Sequence, residues 1–318
     1  MSPKNDLVRG RKKIFVKQAL LSVVLLVCPL GAARSSSLAK DQPDSSSKAQ
    51  ANAAAPTPVA AHSRLQAKAA AEDKGDFRLV YVPLKDKGLA HIEKMIKDSK
   101  LFESLIETSN KELALPVDIT VYFRECTGKN EDGTPEDPTN AWYNPDDHSI
   151  TMCYGLIKKS EDLFKDDEKT EKDLEEAVLG STAWTFYHEM GHALIDVYKI
   201  AHTGKEEDAA DELSTYILIN EGGEEGELAA LNGAENFYRE AAEDNDLGED
   251  QFADSHSLDK QRFYNVICWV YGSNTKKYAE LTKGKDPILP EGRADGCEQE
   301  YERITKAWQA LLGPHLKK

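Results

Sequence analysis

Two histidines four residues apart, with a glutamate directly after the first, constrain this chain more than any other feature: Phe186-Tyr187-His188-Glu189-Met190-Gly191-His192-Ala193-Leu194. Residues i and i+4 lie one above the other on a single face of an α-helix. If the segment is helical, His188 and His192 can therefore aim two imidazole nitrogens at one metal ion. Glu189 falls about 100° further round the helix, within reach of a water bound to that ion. This is the H-E-x-x-H pattern, whose chemistry is zinc-assisted hydrolysis with the glutamate as general base. A catalytic zinc site takes a third protein ligand and leaves the fourth position to water. The fold must therefore bring a second element against this helix.

One known solution extends the pattern to H-E-x-x-H-x-x-G-x-x-H, which would need glycine at 195 and histidine at 198. The chain has Ile195 and Tyr198 there, so that class is excluded. The other solution takes a glutamate from the next helix. After a loop containing Thr203-Gly204, the run Glu206-Glu207-Asp208-Ala209-Ala210-Asp211-Glu212-Leu213 opens such a helix. Glu207 and Asp211 share a face. Glu207 is assigned as third ligand, and Asp211 as the acceptor that holds the outer N–H of a ligating histidine. Glu206, Asp208 and His202 are the fallback ligands. The small Ala209 and Ala210 would let the helix pack close against the motif. Taken without the histidines, the same run reads as the acidic first turn that any helix favours.

The N-terminus speaks of export. Lys4, Arg9, Arg11, Lys12, Lys13 and Lys17 precede an apolar run from Ala19 to Leu30, and Gly31-Ala32-Ala33 follows. A basic start, a short apolar stretch and small residues describe a signal peptide over 1–33, cleaved after Ala33. The run is short of the ~20 residues of a comfortable span, and an uncleaved anchor is the alternative. Of the formal net charge of −16, residues 1–33 contribute +5, which leaves the remainder near −21. So acidic a surface disfavours nucleic acid and anionic membranes as partners. Once Cys28 leaves with the signal, Cys126, Cys153, Cys268 and Cys297 remain. An even number in an exported chain points to two disulfides. Three pairings are open, and the local pairs are the natural expectation. Zinc ligation by cysteine is disfavoured, since no C-x-x-C spacing occurs. Periplasmic or secreted localisation follows.

Residues 34–75 are poor in large apolar side chains and read as a disordered linker. Residues 76–318 then fit one domain. Strands are expected at Phe77–Val82 and Pro116–Phe123, then a hairpin formed by Asn140–Tyr143 and Ser149–Tyr154 around Asn144-Pro145-Asp146-Asp147. Residues 88–109 have helical period. Further helices are expected near 155–165, 171–199, 206–221, 226–243, 258–272 and 290–312. A small N-terminal antiparallel sheet followed by a mostly helical, zincin-like region is α+β.

The run H-E-x-G-H-A-L-I-D followed closely by E-D-A-A-D resembles a family of exported bacterial proteins described only as "putative metallopeptidases", distant relatives of the gluzincins. The hairpin N-A-W-Y-N-P-D-D-H-S-I-T-M-C-Y, C-W-V-Y-G at 268–272 and L-P-E-G-R-A-D-G-C at 289–297 carry the resemblance further, over roughly residues 76–313. It implies zinc on His188, His192 and Glu207, Glu189 as base, and a Cys268–Cys297 bridge. The expected activity is zinc-dependent hydrolysis of a peptide or protein substrate. The oxyanion donor is left open among Tyr143, His148, Tyr187 and Tyr264. The rival readings are a non-catalytic zinc-stabilised cell-envelope domain and a zinc amidohydrolase acting on a non-protein amide.

Overall fold

In the computed structural model, residues 72–129, 133–243 and 247–317 are described. The expected signal peptide and nearly all of the expected linker lie outside them. No helix among the described residues is long and apolar enough to cross a membrane.

Strand β1 (Phe77–Tyr81) alternates between buried and exposed positions, the pattern of a strand with one face on a core. Helices α1 (Ala90–Ser99) and α2 (Leu101–Glu112) follow. The sequence reads as one helix here, but Lys100 takes a left-handed conformation with φ 55° and divides it. The two helices carry the chain back to the starting edge, so β2 (Ile119–Arg124) runs parallel to β1. Strand β3 (Ala141–Asn144) turns into β4 (Ser149–Cys153) as an antiparallel hairpin. It is β4 that inserts beside β2, parallel to it, leaving β3 at the edge of the order β1-β2-β4-β3. The sheet is thus mixed rather than antiparallel. Crossover helices before β2 and a hairpin that docks by its second strand fix both parallel pairings. Every residue of β4 is buried.

The remainder is helical: α3 (Tyr154–Phe164), α4 (Glu171–Tyr198), α5 (Glu206–Glu221) and α6 (Gly223–Glu243). After them come α7 (Glu249–Ala253), α8 (Asp259–Ser273), α9 (Glu291–Ala294) and α10 (Cys297–Leu312). The fold is α+β. Helix α4 is its axis, packing against α3, α5, α6, β3 and β4. Thr170 caps its start by accepting from the Asp173 amide, and Lys199 ends it in a left-handed conformation. A helix enclosed on so many sides cannot show one apolar stripe, so its buried residues run almost all the way round. On the sheet side Phe186 meets Phe102, which packs on Phe123. On the helical side Trp184 packs edge-on against Phe237. Each such ring contributes about 1.5–3 kcal/mol of burial.

Disulfides join Cys126 to Cys153 and Cys268 to Cys297. The first ties the end of β4 to the residues beyond β2, and the second ties α8 to the start of α10. Residues 315–317 return to the sheet side of the molecule. The Ala114 amide donates to His315 O at 2.8 Å, and the Lys317 amide to Glu112 O at 2.7 Å. The His315 ring stacks on Tyr198 with centroids 3.8 Å apart.

Candidate metal centre

Helix α4 delivers His188, Glu189 and His192 to the floor of a cleft of about 1500 Å³, walled by β3, α6 and the segment leading into α8. Helix α5 brings Glu207 to meet them. The approach is close because of Gly191: a Cβ placed there would lie 3.1 Å from the Ala210 Cα. Glycine on one helix facing alanine on the other sets the depth at which the α5 carboxylate enters.

His188 Nε2 and His192 Nε2 are 3.2 Å apart, and Glu207 Oε2 lies 3.2 Å from each. These three residues form a group of potential metal donors. Tetrahedral ligands bound at about 2.0–2.1 Å are separated from one another by roughly 3.3–3.4 Å, so the triangle has nearly the edge length that zinc requires. Its electrostatics agree. Glu207 Oε2 is buried and makes no hydrogen bond, although three imidazole nitrogens surround it. Burial works against charge on His192, yet the Glu207 and Glu189 carboxylates raise it to about 9. Burial would raise Glu207 as well, but the facing histidines hold it well below the usual carboxylate range. Two nitrogens and a carboxylate oxygen converge on one point, where the negative charge favours a positive partner, proton or metal ion.

Both histidines have a carboxylate behind them. Glu206 Oε1 lies 2.8 Å from His192 Nδ1, which leaves Nε2 to point inward. Asp211 Oδ1 lies 2.8 Å from His188 Nδ1, though off the line of the ring N–H. Arg262 on α8 grips that same carboxylate with two bonds, Nε to Oδ2 at 2.8 Å and Nη2 to Oδ1 at 2.7 Å. Burial opposes ionisation of Asp211, but the guanidinium overrides it and lowers the group to about 2. Glu189 is buried beside the triangle and lines the cleft, and burial is the main influence raising its carboxyl.

The family described as "Putative metallopeptidase" (DUF4344) matches residues 81–312. The chain belongs to this family. No curated protein and no solved structure matches it.

In this family member the fallback ligands stand outside the triangle. Glu206 backs His192, His202 Nε2 lies 3.3 Å from Glu206 Oε2, and Asp208 accepts from the Ser257 hydroxyl at 2.8 Å. The four candidate oxyanion donors fare differently. Tyr143 lines the cleft, but its hydroxyl donates to Asp196 Oδ2 at 2.8 Å and lies 2.9 Å from His148 Nδ1. Tyr187 is buried and Tyr264 lines a separate, smaller cavity. Two residues at the centre carry no mark in the sequence. Arg262 is one. The other is His256, whose Nε2 lies 2.9 Å from Glu207 Oε2. The one available signal was a histidine just before the start of α8, at no fixed distance from the motif.

Proposed function

We propose that the chain is a zinc-dependent metallopeptidase, exported to the periplasm or secreted. One observation supports it above all: two Nε2 atoms and one carboxylate oxygen at 3.2 Å spacing, with a further buried carboxylate, Glu189, beside them in an open cleft. His188, His192 and Glu207 would hold the ion, and Asp211 and Glu206 would orient the histidines. When bound, zinc lowers the pKa of its water to about 7 and polarises a carbonyl. Glu189 takes the proton as water adds to the peptide carbonyl carbon, then returns it to the departing amine nitrogen. A purely structural site has no use for that base.

The cleft has room for a chain segment rather than a small metabolite. Asn140, Ala141, Trp142 and Tyr143 line it, and β3 ends the sheet, so an extended substrate can pair along this edge. The two disulfides are compatible with an exported protein.

The test compares wild type with Glu189→Gln on a peptide library, measuring the zinc content of both. Expected is equal zinc in the two proteins, with cleavage lost in the variant by about 100- to 10,000-fold. Equal cleavage in both that a chelator leaves untouched, or none in the wild type, overturns the reading.

A further inference from the structure

We propose that His256 is a fourth protein ligand of the metal centre in its resting form, masking the position that water would otherwise take. The masking rests on the peptidase reading above; the ligation does not.

Three imidazoles around Glu207 share one construction. His188 Nδ1 lies 2.8 Å from Asp211 Oδ1, His192 Nδ1 2.8 Å from Glu206 Oε1, and His256 Nδ1 3.0 Å from Asp254 Oδ1. Their Nε2 atoms lie 3.2, 3.2 and 2.9 Å from one atom, Glu207 Oε2. A carboxylate beside Nδ1 places the proton of a neutral ring there and leaves the lone pair on Nε2, which is how a metal-ligating histidine is set. An Nε2 lone pair facing a carboxylate oxygen needs a positive centre close by, and an ion held by the triangle supplies it.

His256 stands just outside the triangle, whose three donors converge without it. It lines the same cleft, its ring nearly parallel to that of His188 with centroids 6.1 Å apart. Its side chain is 44% exposed, against 4% for His188 and 12% for His192. The difference follows from the element that carries it. His188 and His192 belong to the enclosed helix α4, whereas His256 belongs to a strap over residues 254–258, between α7 and α8. The strap hangs from the first turn of α5, the turn that carries Glu207. Lys205 Nζ donates to Asp254 O at 3.1 Å and to His256 O at 3.2 Å, and Ser257 donates to Asp208. The two lysine bonds join exposed groups, whose partners water can replace. The strap is therefore set beside the ligand it faces, by a tether light enough to lift.

A zinc site closed by four protein ligands is structural, and a catalytic one keeps a position open. With His256 bound the centre is of the first kind, and with the strap lifted it is of the second. The exchange breaks one bond from Nε2 to the metal and makes one from a water oxygen, with no electron transferred.

The experiment uses the full chain as wild type, His256→Ala and His256→Gln, each loaded with zinc. X-ray absorption counts the imidazoles on the metal, competition with a chromophoric chelator gives affinity, and a fluorogenic peptide gives kcat/KM at saturating zinc. We expect three imidazoles in the wild type and two in His256→Ala, with zinc affinity lower in the variant by about tenfold or more. If the closed form makes up about 90–99% of the wild type, kcat/KM rises by about 10- to 100-fold in the variant. His256→Gln lacks the imidazole but keeps a polar side chain, and it gives the same result if the alanine variant fails to fold. Two imidazoles in the wild type overturn the proposal, since the contact with Glu207 is then made by a proton alone. Three imidazoles with kcat/KM unchanged or lower in the variants overturn the masking. A wild type and variants that all cleave nothing defeat the peptidase reading, while the imidazole count still judges His256.

Discussion

Asp211 Oδ1 lies 2.8 Å from His188 Nδ1, and the same carboxylate takes two hydrogen bonds from the buried Arg262 guanidinium. One carboxylate thus faces a histidine of the triangle and neutralises a buried cation. Asp211→Asn should weaken zinc binding by about 10- to 100-fold. It should also leave Arg262 without its counter-charge, lowering stability by about 3–5 kcal/mol. Adding Arg262→Met should restore much of the stability and none of the affinity. Chelator competition and denaturant melts separate the two effects.

Zinc held by the folded chain and not by the unfolded one stabilises it by about 4 kcal/mol at a thousandfold excess over Kd. For a domain of this size, chelation should lower Tm by about 8–16 °C, reversibly. In His192→Ala most of that difference should vanish. Differential scanning calorimetry with and without chelator checks it.

Glu212 supplies a pH test away from the ligands. Burial, then the negative charge of Asp208, raises its carboxyl to about 7. The folded state therefore holds the proton more tightly than the unfolded one. This favourable contribution is complete below the ordinary value near 4.5 and is lost as pH climbs to about 7. Glu212→Gln should raise stability by up to about 3 kcal/mol at pH 8 and leave it little changed at pH 4. Melts across that range suffice, and a pH-independent difference would refute the assignment.

Helix spacing can be probed through two glycines. A Cβ on Gly233 would lie 2.4 Å from Trp184 Cγ, inside the packed core. Gly233→Ala should cost about 1–3 kcal/mol. At Gly191 the obstruction is Ala210, at 3.1 Å, and better helix propensity offsets it by about 1 kcal/mol. Gly191→Ala should leave Tm nearly unchanged while pushing α5 outward, with zinc affinity falling by about tenfold.

Much of this was legible in the chain because it is local. Helical period located α3 to α6, and i, i+4 spacing put His188 above His192 and Glu207 above Asp211. What was not legible depends on distant partners. Lys100 breaks a continuous helical pattern for reasons no propensity supplies. The parallel pairing of β2 with β4 depends on which strand of a hairpin docks, and both strands have strand-like composition. Arg262 meets Asp211 across 51 residues, and His256 reaches Glu207 because Lys205 and Asp208 anchor its strap. Those residues look like any charged helix start and any polar loop.

The pairing of residues 315–317 with residues 112–114 has a consequence for how the molecule is made. The two partners are separated by some 200 positions of chain. Until the later one is made, Ala114 and Tyr198 lack their partner His315, and Leu113 its partner Leu316. Final closure of the sheet side therefore waits for residues 315–317, made long after the strands and helices they seal.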